Sequence, residues 1–146
     1  MNKGLFTNNS NEWATPQELF DELNNEFHFT LDPASTHENA KCKKHFTIQE
    51  DGLKQSWKGE TVFCNPPYGR EIGKWVEKAY REHLGGSTIV LLIPARTDTK
   101  YWHEFIFGKA EVRFLKGRVK FVLDGQGNNP APFPSAIVVY RRKENK

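Results

Sequence analysis

The stretch TIVLLI, from Thr88 to Ile93, places the strongest constraint on the fold of this chain. After its first residue no polar side chain interrupts it, so a strand formed here must bury both of its faces. Such strands occur in sheets that helices cover on both sides. A helical pattern ends just before it, at Gly85-Gly86, and its apolar residues share one face: Ile72, Trp75, Val76, Ala79 and Tyr80. We therefore predict an α/β protein with this strand at the centre of its sheet.

A first helix is predicted from Thr15 onward. Thr15 suits the N-cap position, Pro16 the first helical position and Glu18 the capping-box position. The apolar residues that follow at helical spacing are Leu19, Phe20 and Leu23.

Strand patterns follow in several places. The first alternates from Phe27 to Leu31 and ends in the turn Asp32-Pro33, and the second runs from Thr61 to Cys64. Residues 101–106 instead have a helical pattern that Asp98 can cap. Further strands are predicted around Val112 and Phe114, around Val119 and Phe121, and at Ala136 to Tyr140. The last third of the chain therefore predicts antiparallel strands.

The composition is typical of one globular domain. The chain has 146 residues, of which 37% are hydrophobic and 13% aromatic. No apolar run approaches the length of a membrane span, and the polar N-terminus lacks the apolar core of a secretory signal. We expect a cytoplasmic protein with one domain over residues 12–141 and flexible ends at residues 1–11 and 142–146.

The net charge and the cysteine content exclude few classes of function. The net charge of +3 is compatible with a polyanionic partner. Basic clusters at residues 41–44, 113–120 and 141–143 are suited to phosphates, although solvated surfaces have the same pattern. Cys42 and Cys64 are too few for a disulfide framework, and the lone Cys42/His45 pair predicts no metal site.

The motif Asn65-Pro66-Pro67-Tyr68 follows the second strand, where α/β sheets bind their ligands. Proline has no backbone N–H, so this segment presents carbonyls with few competing donors. The Asn65 side-chain oxygen and the Pro66 carbonyl can accept both hydrogens of a nucleobase amine and localise its lone pair for in-line attack. Tyr68 offers a face on which a flipped base can stack. The alternative is an ordinary tight turn.

Five stretches together carry a resemblance to a family. In chain order they are WATPQELFDEL, FTLDPASTHENAKC, EDGLKQSW, FCNPPYG and APFPSAIVVY. The chain resembles the small phage-type DNA N6-adenine methyltransferases, Dam-like enzymes that use S-adenosylmethionine. The resemblance implies a Rossmann-like three-layer sandwich, with a mostly parallel sheet and an antiparallel C-terminal strand. It also implies that Asn65, Pro66, Pro67 and Tyr68 are catalytic.

The resemblance assigns the cofactor to three segments. Thr15-Pro16 would lie against its methionine part, and a helix-capping role is compatible with this. Asp32, Pro33 and Ala34 would hold its amino acid end, although this turn lacks the glycines usual in methyltransferases. Asp51, Gly52 and Leu53 would contact its adenine, where the alternative is a plain turn.

The substrate implied is double-stranded DNA, with no membrane partner, in a bacterial host cytoplasm. Phe133 is expected to form a second wall of the target-base pocket, or else to cover the sheet edge as a loop aromatic. Arg70 is expected to meet a phosphate, or else to form a surface ion pair. Two other classes stay open: a methyltransferase for N4 of cytosine or for RNA or protein, and a non-catalytic nucleic-acid-binding module with Tyr68 and Phe133 as stacking platforms.

Overall fold

The computed structural model describes residues 13–123 and 128–143. Two α-helices lie within these residues, α1 (Gln17–Phe27) and α2 (Ile72–Leu84). Shorter helical segments are a 3₁₀ turn at Gly52–Lys54 and a π-helical turn at Trp102–Ile106. The strands described are β1 (Trp13–Ala14), β2 (Thr61–Cys64), β3 (Thr88–Pro94), β4 (Glu111–Phe114), β5 (Lys120–Leu123), β6 (Asn128–Pro130) and β7 (Ser135–Tyr140). Of the predicted flexible ends, only residues 142 and 143 lie inside the described part.

The main sheet is mixed. Its strand order is β2-β3-β7-β4, in which β2 pairs with β3 in parallel and β7 pairs antiparallel with both β3 and β4. Since β7 runs against both neighbours, β2, β3 and β4 share one direction. The antiparallel C-terminal strand is confirmed, whereas a mostly parallel sheet is not.

Strand β3 is the buried centre of this sheet, as predicted. Ile89 through Ile93 are fully buried, and their side chains alternate between two hydrophobic clusters. Leu91 packs on the side of α2 and the π-helical turn, and Leu92 packs on the side of α1 and β5. Each such side chain contributes roughly 1.5–3 kcal/mol through burial.

Helix α1 begins one residue later than the capping pattern predicts. Pro16 is its N-cap residue, no side chain caps it, and the Pro16 carbonyl accepts from the Phe20 amide at 3.1 Å. The predicted N-cap role of Thr15 is therefore wrong. Thr15 is only 3% exposed. Its hydroxyl instead accepts a hydrogen bond from the side-chain nitrogen of Asn65.

The strand predicted over Phe27 to Leu31 is largely wrong. Phe27 is the last residue of α1, and His28 ends the helix in the left-handed conformation, with φ of 57°. Only Leu31 and Asp32 form parallel bridges, with Val62 and His45 respectively. The alternating phenylalanines instead belong to an aromatic cluster with these ring contacts: Phe27 to Phe29, Phe29 to Phe20 and Phe63, and Phe20 to Phe63.

The remaining described residues form a helical turn and a second sheet. The predicted helix near Tyr101 is a π-helical turn that buries Trp102 and Ile106, and Asp98 does not cap it. The C-terminal strands are confirmed, and β5 pairs with β1 and β6 in a second, antiparallel sheet. Within the described part of the chain, no helix has the length and apolar character needed to cross a bilayer.

Candidate active site

The candidate site is centred on Asn65, the first residue after β2. Its side-chain nitrogen donates to the Trp13 carbonyl at 2.9 Å and to the Thr15 hydroxyl at 3.2 Å. A backbone carbonyl can only accept, so the amide nitrogen must face β1. The Asn65 side-chain oxygen therefore points away from β1 and keeps its capacity to accept hydrogen bonds.

The small sheet brings these partners to Asn65. Strand β1 pairs antiparallel with β5, with Ala14 opposite Val122. This pairing fixes the backbone of β1 beside the carboxyl end of β2. The sequence around Trp13 does not predict this role, because a two-residue strand leaves no periodic signal.

An aromatic cluster surrounds the motif. The Tyr68 ring makes edge contacts with Trp13, Phe121 and Phe133, at centroid distances of 6.5, 6.0 and 5.6 Å. Trp13 and Phe133 are stacked, 6.2 Å apart with 17° between their planes. The structure thus brings together Tyr68 and Phe133, as the sequence predicted, and adds Trp13 and Phe121.

Tyr68 is also fixed by its hydroxyl, which donates to the Leu92 carbonyl in β3 at 3.1 Å. Burial raises the pKa of Tyr68 well above its ordinary value. The phenol therefore stays protonated, and Tyr68 serves as a neutral aromatic surface and not as a base.

Asp32 lies in a small cleft beside Asn65, which Thr15 and Ala34 also line. The carboxylate is buried, with the residue 4% exposed. One oxygen accepts from the Ala34 amide at 3.3 Å and the other from the Lys41 amide at 3.0 Å. Burial raises the pKa of Asp32, while these two amide hydrogen bonds oppose the shift. The cleft thus contains a buried carboxylate that is suited to bind a cationic group.

The predicted cofactor segment at Asp51, Gly52 and Leu53 touches the segment at Asp32, Pro33 and Ala34. The Asp51 carboxylate accepts from the Leu53 amide at 3.1 Å and so caps the 3₁₀ turn, as a plain turn residue would. Gly52 packs against Pro33 so closely that a Cβ at Gly52 would lie 2.1 Å from the Pro33 carbonyl oxygen. Two segments that are separate in sequence therefore form one wall.

Some predicted residues stand apart from this centre. Arg70 is exposed, and it makes no ion pair or ring contact with any other residue in the described ranges 13–123 and 128–143. Arg96 lies 5.7 Å from the Phe133 ring. A larger cavity, of about 480 Å³, lies between α1 and residues 41–44, and its lining includes no predicted site residue among those described.

Cys42 and His45 do not form a metal centre with other residues in the described part of the chain, where no group of three or more potential ligands is found. His45 instead shares a hydrogen bond with His37, at 2.8 Å between ring nitrogens. Burial raises the pKa of the Cys42 thiol to about 12.

Comparison of the sequence with known proteins identifies the family of this chain. The model of the DNA N-6-adenine-methyltransferase (Dam) family matches residues 4–145. The DNA N-6-adenine-methyltransferase of Escherichia phage T1 is 30% identical over 115 residues, which cover 77% of this chain and 48% of the phage protein. This chain therefore spans about half the length of that relative. YfdM of Escherichia coli K12, a predicted methyltransferase, is 35% identical over 65 residues, 39% of this chain and 70% of YfdM. The chain belongs to the Dam family of DNA N-6-adenine-methyltransferases.

Proposed function

We propose that this chain transfers a methyl group from S-adenosylmethionine to N6 of adenine in double-stranded DNA. The observation that carries the proposal is the anchoring of Asn65. Its amide nitrogen is occupied by Trp13 and Thr15, so its oxygen is left to accept from a substrate amine. Membership of the Dam family and the name of the phage T1 relative support the same reaction.

The motif residues act by orientation. The Asn65 side-chain oxygen and the Pro66 carbonyl each accept a hydrogen bond from one N–H of the target amine. This leaves the lone pair of the amine directed toward the incoming methyl group. Tyr68 holds the flipped base by stacking, worth roughly 1–3 kcal/mol. Phe133, which meets the Tyr68 ring edge-on, forms a second wall of the base pocket. Pro67 keeps the turn rigid. No strong base is required among these residues, because the amine can lose its proton after the new N–C bond has formed.

The residues of the cleft fit the proposed cofactor. S-adenosylmethionine supplies an electrophilic methyl group on a sulfonium centre. Asp32 would bind its ammonium group, because the buried carboxylate is a charged acceptor that only backbone amides now satisfy. Thr15-Pro16 and Pro33-Ala34 would line its methionine part, and Asp51, Gly52 and Leu53 would contact its adenine.

The proposed function also implies a domain extent and a layer arrangement for the chain. We propose one methyltransferase domain over residues 12–141, with a Rossmann-like arrangement of three layers. The support is that α1 and β5 cover one face of the main sheet while α2 covers the other. A phage or prophage origin would place the enzyme in the cytoplasm of a bacterial host, where its DNA substrate lies. Arg70 remains a proposed phosphate contact.

The test is transfer of labelled methyl groups to unmethylated duplex DNA, followed by digestion to nucleosides. We expect label in N6-methyladenine from the wild-type protein and none from Asn65→Ala. Asn24→Ala is the matched control, because Asn24 also accepts a hydrogen bond, from the Phe29 amide at 2.8 Å, but lies on α1 away from the site. Label in N4-methylcytosine would show that the acceptor is N4 of cytosine and would refute adenine as the target. No label in any nucleoside, with DNA and cofactor still bound, would refute the proposal.

A further inference from the structure

The cleft beside Asn65 contains donors that the protein does not use. Among the described residues, five buried side-chain atoms have no hydrogen-bond partner, and two of them belong to residues that line this cleft. They are the indole nitrogen of Trp13 and the hydroxyl of Ser35. A buried polar atom without a partner is unfavourable, so such atoms at a binding cleft indicate a ligand that supplies the missing partner.

Ser35 lines the same cleft as Asp32. Asp32 accepts from the amide of Ala34, the residue immediately before Ser35. The Ser35 amide is bound to the Phe46 carbonyl at 3.2 Å, so the backbone at Ser35 is fixed while its hydroxyl is unpartnered. Since both residues line one cleft, a ligand whose cation binds Asp32 lies against Ser35 as well.

The charges lining the cleft are also complementary to a zwitterion. Besides Asp32, the cleft is lined by Lys41, whose ammonium donates to the Gln17 side-chain oxygen at 2.8 Å. Lys41 is half-buried; burial lowers the pKa of its ammonium, and the nearby charge of Asp32 opposes that shift. One anion and one cation at the same cleft match the two charges of a free amino acid group.

We propose that the Ser35 hydroxyl donates a hydrogen bond to the carboxylate of the cofactor's methionine moiety, with Lys41 supplying the balancing positive charge. This inference rests on the proposed function, because it takes the ligand to be S-adenosylmethionine. Asp32 then binds the ammonium and Ser35 the carboxylate of one amino acid group. The cleft thereby selects ligands with an intact amino acid end over nucleosides that lack it.

Two ligands that differ only in this end test the assignment. S-adenosylhomocysteine carries the amino acid group, and 5′-methylthioadenosine has the same nucleoside thioether without it. Binding of each is measured by calorimetry. For Ser35→Ala we expect affinity for S-adenosylhomocysteine to fall about tenfold or more, as for a lost hydrogen bond to a charged group, with no change for 5′-methylthioadenosine. Ser35→Thr, which keeps the hydroxyl, should restore much of the affinity.

Lys41→Gln provides a second variant with the same expected pattern. Ser56→Ala is the matched control, because the Ser56 hydroxyl is exposed and accepts only from the nearby Lys58 amide. Equal losses for both ligands, or no loss for either, would overturn the assignment of Ser35 while the cofactor stands. A wild-type protein that binds neither ligand would overturn the proposed cofactor, and this inference with it.

Discussion

Replacing Gly52 with alanine tests how tightly the wall between Gly52 and Pro33, the proposed cofactor wall, is packed. A Cβ at Gly52 would lie 2.1 Å from the Pro33 carbonyl oxygen and 3.0 Å from the Trp75 ring. The first distance is far shorter than a van der Waals contact, and the atom it meets belongs to the backbone. The segment that carries Pro33 must therefore move by about 1 Å to admit the methyl group.

The cost of that movement can be stated for stability and for activity. Overpacking of this kind destabilises a protein by about 1–3 kcal/mol. For a domain of this size we expect the melting temperature to fall by roughly 3–10 °C. Because Pro33 adjoins Asp32, the cleft is displaced as well, and a misplacement of about 1 Å can lower activity by up to about 100-fold.

Gly73→Ala is the matched control. A Cβ at Gly73 would lie 3.5 Å from the Tyr101 ring, an ordinary contact, and Gly73 is in α2. There alanine favours the helix by up to about 1 kcal/mol. Thermal unfolding followed by circular dichroism, with methylation assays at 25 °C, compares the two variants. If Gly52→Ala melts and methylates like the wild-type protein, the close contact with Pro33 does not constrain the site and the reasoning fails.

Three further changes address the site and the surface. Thr15→Val keeps the shape of a buried residue but removes one acceptor of Asn65, so kcat/KM for methylation should fall about 2- to 10-fold; Thr15→Ser should keep activity, and equal values for Val and Ser would contradict the role of the hydroxyl. Tyr68→Phe removes the hydrogen bond to β3, so urea unfolding should show a loss of about 0.5–1.5 kcal/mol while KM for DNA changes little, unlike in Tyr68→Ala. Hydrogen bonding to Arg113 holds the pKa of Glu26 at about 2 instead of 4.5, so its contribution to stability is complete above pH 4.5 and is lost as the pH falls toward 2. Urea midpoints measured across this range should fall less steeply for Glu26→Gln, and parallel curves would show that the pair contributes nothing.

Features with a strong local signal were predicted correctly from the sequence. The apolar run of β3 and the spacing of α2 from Ile72 to Tyr80 depend only on which faces are buried. The four motif residues directly follow β2, as the strand pattern predicted. Local periodicity and turn chemistry suffice for these elements.

The features that failed depend on contacts between distant residues. The capping pattern at Thr15 is locally valid, but its hydroxyl binds Asn65 instead, 50 residues away. The alternation of Phe27 and Phe29 arises from aromatic packing, because Phe27 still belongs to α1. The mixed direction of the sheet follows from β7 entering between β3 and β4, which no single stretch of sequence reveals.

The anchoring of Asn65 by β1 makes the candidate site depend on contacts between residues that are far apart in sequence. Its two partners precede it by 52 and 50 residues, and among the described strands β1 pairs with β5, which lies near the other end of the chain. Closing such long loops is entropically costly, so contacts of this kind form late in folding and are among the first to open by local fluctuation. Each detachment of this two-residue strand frees the Asn65 amide to rotate. The fraction of molecules in which the Asn65 amide is anchored is therefore set by the local opening free energy of β1 and not by the global stability of the protein.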